Sequence, residues 1–166
     1  MDSLADLSSN PLVQIIIVDN ASGVETTSYL RGLKDLQVKV KFNDYNYGFS
    51  YAVNQGVALA DPDSDILLLN NDAALTSGAL GSLQEAAYTC NTIAITAPQQ
   101  VLSGGEKTIN THVPYADSNL PCDVTLSSHH GNVESLPLFH DGGAVELNFA
   151  TFFCVYIKRN VWDLCN

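Results

Sequence analysis

The sequence predicts an α/β domain: a mostly parallel sheet with flanking helices, followed by a loop-rich C-terminal half. Three observations carry this. VQIIIVDN (13–20) and DILLLNND (65–72) are continuous apolar runs, the pattern of strands covered on both faces. Between them, LQVKVKFN (36–43) alternates, with Val38, Val40 and Phe42 on one side and Lys39 and Lys41 on the other, as an edge strand with one wet face does. Helical spacing fills the connections, so the order runs strand, helix, strand, helix, strand, helix, which suits right-handed crossovers.

Each element has its own warrant. Residues 24–34 place Tyr29, Leu30 and Leu33 at helical spacing. Residues 48–60 set Phe49, Ala52, Val53, Gly56, Val57 and Ala60 along one stripe. Thr76 or Ser77 is placed to cap a helix carrying Leu80, Leu83, Ala87 and Tyr88. TIAITAP (92–98) reads as a short strand, 110–143 as long loops with short strands, and VELNFATFFCVYIK (145–158) as a last strand region. RNVWDLCN then begins a helix. SGGEK (103–107) reads as a turn, because a phosphate-binding loop needs the spacing G-x-x-x-x-G-K.

Composition bounds the function. A chain of 166 residues, 46% of them hydrophobic, suits a single globular domain, here 1–166. Seven Lys and Arg against 18 Asp and Glu leave a net charge of −11, which disfavours nucleic acid and anionic membrane surfaces. A phosphorylated ligand would meet a repulsive field, and a divalent cation is a natural bridge to it. No apolar run reaches the length of a membrane span, and MDSLADLSSNPLV does not read as a signal peptide. Cysteines 90, 122, 154 and 165 form no C-x-x-C pair; Cys90 and Cys154 read as buried thiols, and a reducing, cytoplasmic setting is expected, with any membrane association peripheral and through other segments or partners. His129 and His130 are adjacent, and His112 and His140 are distant in sequence. All four read as loop histidines rather than a structural zinc site.

Two strand ends are polar in a specific way: Asp19-Asn20-Ala21-Ser22-Gly23 after the first run and Asn70-Asn71-Asp72 after the second. In open parallel sheets, ligands bind at the carboxyl ends of strands. A third stretch, NYGFSYAVNQG (46–56), places Asn54 and Gly56 inside an amphipathic helix, at up to about 1 kcal/mol for the glycine, which implies close backbone approach to something.

These residues resemble the inverting glycosyltransferases of family 2, which have the GT-A fold. The likeness is closest to rhamnosyltransferase-like members. It rests on IIIVDNASG, on N-x-G-x-x-x-A-x-N-x-G written here as Asn46, Gly48, Ala52, Asn54 and Gly56, and on LLLNNDA, in matching order across residues 13–90, with a weaker match over 145–164. The resemblance implies a donor-binding half over 1–100 and a partial acceptor-side half over 101–166. It implies a UDP- or dTDP-sugar donor, a glycan or lipid-linked acceptor, and Mg²⁺ or Mn²⁺. Asp19 matches the acid that contacts the nucleotide base. Asn20, Asn46, Gly48, Asn54, Asn70 and Asn71 fall in the nucleotide-binding motifs, and Asp72 matches the metal-binding carboxylate of a D-x-D-like motif. Val53 stands where the family often has an Arg. The family's opening strand is expected before residue 1, and its catalytic base and later metal-binding His beyond residue 166.

Two rival readings have distinct signatures. A non-catalytic nucleotide-sugar-binding remnant or fragment would bind the donor without turnover. A phosphatase using Asp19 as nucleophile would want a second Asp two residues later, where this chain has Ala21.

Overall fold

In the computed structural model, residues 7, 9–33, 38–98, 112–114, 147–150 and 152–165 are described, with the backbone alone at 112–114 and 147–150. The SGGEK turn, Cys122, His129, His130 and His140 lie outside them, as does most of the expected loop region. The chain divides into two compact units, Met1–Ile66 with Ala74–Ser77 and Leu67–Ala73 with Gly78–Asn166.

In the first unit, β1 (Ile15–Asp19) pairs in parallel with β2 (Val38–Phe42), in a register running from Ile15 opposite Val38 to Asp19 opposite Phe42. The alternation read from the sequence holds: Lys39 and Lys41 are exposed, while Val38, Val40 and Phe42 are half-buried. Between these strands runs α1 (Val24–Arg31), with Glu25 in its first turn and Arg31 in its last, each on the favourable end of the helix dipole. The Gly32 N–H closes the helix on the Ser28 and Tyr29 carbonyls. Leu30 is its buried residue, and the Arg31 guanidinium lies 4.4 Å from the centre of the Phe42 ring.

Helix α2 (Phe49–Leu59) lies on β1. Gly56 explains how closely: a Cβ built there would stand 3.4 Å from Val18 Cγ2 and 4.0 Å from Ile16 Cγ2. What the sequence marked as close backbone approach is therefore helix-to-strand packing. Val57 is buried beside it, whereas Phe49, at the very start of the helix, is 54% exposed and outside the core stripe expected for it.

The second unit is built around β7 (Cys154–Ile157), all four residues of which are buried, Val155 completely. It is the middle strand of a sheet ordered β3 (Ile66–Leu69), β7, β4 (Ile95–Thr96). The β4–β7 pair is antiparallel, with Ile95 opposite Ile157. Helix α3 (Ala79–Thr89) packs on β4 and β7 through Leu83 and Ala87, and the Thr96 hydroxyl donates to the Leu83 carbonyl at 2.9 Å. Helix α4 (Arg159–Cys165) follows β7, with Arg159 Nε bonded to Asp163 Oδ1 one turn on at 3.0 Å. Lys158, between them, is buried; its ammonium donates to the Cys90 carbonyl at 3.3 Å and lies 5.0 Å from the Tyr88 ring centre. A further antiparallel pair joins β5 (His112–Pro114) to β6 (Leu147–Ala150).

Several expectations change here. Among the described residues β1 pairs with β2 in parallel, whereas β4–β7 and β5–β6 are antiparallel, so the fold is mixed α/β. The last strand region is two strands, because residues 152 and 153 form a turn. Helix α3 starts from Gly78, in the left-handed region at φ +79°, with no side-chain cap from Thr76 or Ser77. Tyr88, near the end of the helix, is exposed, with its ring centre 5.0 Å from the Lys158 ammonium. Cys90 is also exposed, while Cys154 is buried as expected.

Two measurements follow from this packing. Gly56→Ala places a methyl group in ordinary contact with Val18 and removes the helix cost of glycine. It should raise the unfolding free energy by about 0.5–1 kcal/mol in urea titrations, whereas Gly56→Leu should lower it by forcing α2 off β1. Burial pushes the Cys154 thiol up to about 11, while the hydrogen bond from the Thr92 side chain lowers that of Cys90. A thiol reagent at neutral pH should modify Cys90 in the native chain and reach Cys154 only after denaturation, as read by mass spectrometry.

Candidate functional site

The carboxyl end of β1 is organised by side-chain amides. Asn20 uses every hydrogen-bonding position that its amide has. Its Nδ2 donates to Asn46 Oδ1 at 2.8 Å and to the Gly48 carbonyl at 3.2 Å. Its Oδ1 accepts from Asn43 Nδ2 and from the Tyr47 N–H, both at 3.1 Å. Asn43 in turn forms a reciprocal pair with Gln55, donating to Oε1 at 2.7 Å and accepting from Nε2 at 3.0 Å. The end of β1, the end of β2, the 44–48 loop and α2 are thereby tied into one cluster.

The backbone cooperates. Asp19 is buried to 5% exposure, and its Oδ1 accepts from the Ser22 N–H at 3.3 Å, folding the chain back over the strand end. Ala21 between them is left-handed, at φ +64°, a conformation rarely taken by a residue with a Cβ. Gly48 sits at φ +85°, ψ +171°, a region reserved for glycine, and this lets the loop enter α2 with its carbonyl on Asn20. Asn46 is exposed and its Oδ1 also accepts from the Gly48 N–H at 2.9 Å, so its oxygen takes two bonds within the cluster while its Nδ2 donates none there. Asn54 is exposed on α2 and stands outside this cluster.

In the second unit, the end of β3 is a tight turn. The Asn70 N–H donates to the Phe153 carbonyl at 2.9 Å, and the Asn70 carbonyl accepts from the Ala73 N–H at 3.1 Å. Asn suits the first position of such a turn, and Asn71 and Asp72 become its two central residues, both exposed. The backbone that carries them is thus held at both ends by hydrogen bonds, while their side chains are presented to solvent.

The donor set can be tested against a divalent cation. Among the described residues, no three His, Cys, Asp or Glu side chains gather into a cluster that would hold a metal. Asp72 offers one carboxylate, with the amide oxygens of Asn70 and Asn71 beside it in sequence. This is hard-oxygen chemistry of the kind Mg²⁺ accepts, with phosphate oxygens of a ligand completing the coordination. The residues fit an ion that arrives with a diphosphate, and do not form a closed protein cage.

The sequence named Asp19, Asn20, Asn46, Gly48 and Asn54 for the first unit. The structure brings the first four together and leaves Asn54 aside. It adds Asn43 and Gln55, which the sequence reading missed. Asn43 had a legible signal, as a polar residue ending an alternating strand like Asn20 at the end of β1. Gln55 had a fainter one, three positions beyond Ala52 on the packed side of α2.

The saturation of the Asn20 amide has a measurable consequence. Asn20→Asp keeps the shape but replaces both donated bonds with a carboxylate oxygen facing two acceptors. It should lower stability by about 1–3 kcal/mol in urea denaturation, and Asn20→Ser, which cannot span the loop, should do the same.

Neither the characterised proteins nor the solved structures include a significant match to this chain. The family model described as glycosyl transferase family 2 matches residues 1–155. That span takes in β1 with its amide cluster, the turn after β3 and the first two residues of β7, Cys154 and Val155. The chain belongs to glycosyltransferase family 2.

Proposed function

We propose that this chain binds the nucleotide-sugar donor of an inverting glycosyl transfer, with Asp72 as the side chain that takes up Mg²⁺ or Mn²⁺. The observation that carries the reading is the turn after β3: a backbone fixed on both sides displays Asn71 and Asp72 at the carboxyl end of a strand, where open α/β sheets bind ligands. Membership of family 2 supports a sugar-nucleotide as the ligand.

The roles follow from the chemistry of each group. When a nucleoside diphosphate leaves, negative charge grows on its phosphate oxygens, and a bound divalent cation supplies the neutralising charge. Asp72 holds that charge in place. The uncharged amides of Asn70 and Asn71 add oxygen donors without adding repulsion against the diphosphate. This matters in a chain carrying −11 overall. Asp19, at the end of β1, is the acceptor for a base N–H. Asn20, Asn43 and Gln55 act as positioning residues: their amides bond to one another and hold the loop through Asn46 and Gly48. A UDP- or dTDP-sugar is the donor class this reading takes, with a rhamnosyltransferase-like reaction as its finer form. The acceptor is a glycan or lipid-linked hydroxyl. No helix among the described residues is long and apolar enough to cross a membrane.

The test is a calorimetric titration of the chain with UDP in the presence and absence of Mn²⁺. Binding should require the metal. Asp72→Ala should weaken it at least about tenfold, the scale of a lost charge-assisted contact, with an unchanged denaturation midpoint because the side chain is exposed. Unchanged affinity in that variant would refute the assignment of Asp72. Release of UDP from a sugar nucleotide then separates a chain that completes transfer from one that only binds.

A further inference from the structure

The loop ordered by Asn20 and the first turn of α2 carry three tyrosines that the donor reading leaves without a role. Tyr45, Tyr47 and Tyr51 are 71%, 50% and 53% exposed, yet their rings touch one another. The Tyr47 ring lies 5.0 Å from that of Tyr51 at a 42° tilt, and 6.3 Å from that of Tyr45, edge to face at 76°. Tyr47 joins the other two, and its backbone N–H is fixed on Asn20 Oδ1 at 3.1 Å.

A purely structural role accounts for this poorly. An aromatic residue just before a helix often packs on the residue at the fourth helical position, which here is Ala52. Tyr47 meets Tyr51 instead, and half of each ring stays in water. Three solvated aromatic rings held against one another, two on a loop pinned by a saturated amide cluster and one in the first turn of α2, form a preorganised apolar surface rather than a core.

We infer that Tyr45, Tyr47 and Tyr51 form a stacking platform for the pyranose rings of a neutral saccharide. Charge selects against anions: the chain carries −11, and the loop that holds Tyr45 and Tyr47 is ordered by the neutral Asn20, Asn43, Asn46 and Gln55 amides. A pyranose offers what this surface lacks, an apolar C–H face for the rings with a rim of hydroxyls for amide and phenol partners. The Nδ2 of Asn46 is such a partner at the edge of the loop. The saccharide would serve as acceptor or as donor sugar, and that assignment alone rests on the glycosyltransferase reading.

Saturation-transfer NMR on the full chain tests the proposal, irradiating tyrosine ring protons and observing a panel of methyl pyranosides, with uridine in parallel. Transfer to pyranoside C–H protons is expected. The double variant Tyr47→Ala/Tyr51→Ala should weaken pyranoside binding about tenfold, from two lost ring contacts, while Tyr47→Phe/Tyr51→Phe retains most of it. Both variants should keep the parent's denaturation midpoint and its Mn²⁺-dependent UDP affinity. No transfer to any pyranoside would overturn the platform, as would transfer that survives the double alanine change or goes to uridine alone. Failure of UDP binding in the parent chain, with pyranoside transfer intact, would instead sink the donor reading and leave the platform standing.

Discussion

The first unit depends on one side chain, the Asn20 amide, whose two donors and two acceptor positions all find partners within the protein. A buried parallel strand delivers its last peptide groups to a place where no further strand hydrogen bond follows. Something polar has to meet them, and the cost of leaving them unmet exceeds the gain of any single bond made. The Asp19 carbonyl at the end of β1 takes the Asn43 N–H at 2.9 Å, while the Asn20 amide and the reciprocal Asn43–Gln55 pair set where the 44–48 loop lies. Gly48 and the left-handed Ala21 are the backbone conformations that this arrangement imposes. The exposed tyrosines stand where they do because Tyr47 hangs from the same amide.

The second unit answers a different constraint. Its middle strand β7 is buried along its whole length, and the chain leaves it through Lys158, a cation that is itself buried. An ammonium in such a place has to be matched, and it is matched by the Cys90 carbonyl and the face of Tyr88, at the far end of α3. One residue thus links the end of β7 to the end of α3. The turn after β3 is tied to the residue just before that strand by the bond from the Asn70 N–H to the Phe153 carbonyl, which stiffens the backbone below Asn71 and Asp72.

The parts of this fold legible in the sequence are those governed by periodicity. The runs at 13–20 and 65–72 and the alternation at 38–42 each reappear as strands, and the helical stripes give Leu30, Val57, Leu83 and Ala87 as buried residues. What stayed hidden depends on partners distant in the chain. The motif drew attention to Asn54, whereas the amide bonded to Asn43 is that of Gln55, about 100° further round the helix. Phe49 and Tyr88 fit their stripes by spacing, yet both sit at helix ends, where the stripe has run past the surface that it covers. The run from Val145 to Lys158 read as one strand region because periodicity has no way to mark a turn made of apolar residues such as Phe152 and Phe153.

A loop held by amides differs from one held by carboxylates and ammonium groups in what it ignores. Asn20, Asn43, Asn46 and Gln55 neither gain nor lose protons across the range in which proteins stay folded, and bonds between neutral groups are little screened by salt. The framework at the end of β1 therefore keeps one geometry through changes of acidity and ionic strength. Any response of the chain to those conditions has to enter through groups that carry charge, and the placing of Tyr47 and Gly48 stays constant beneath it.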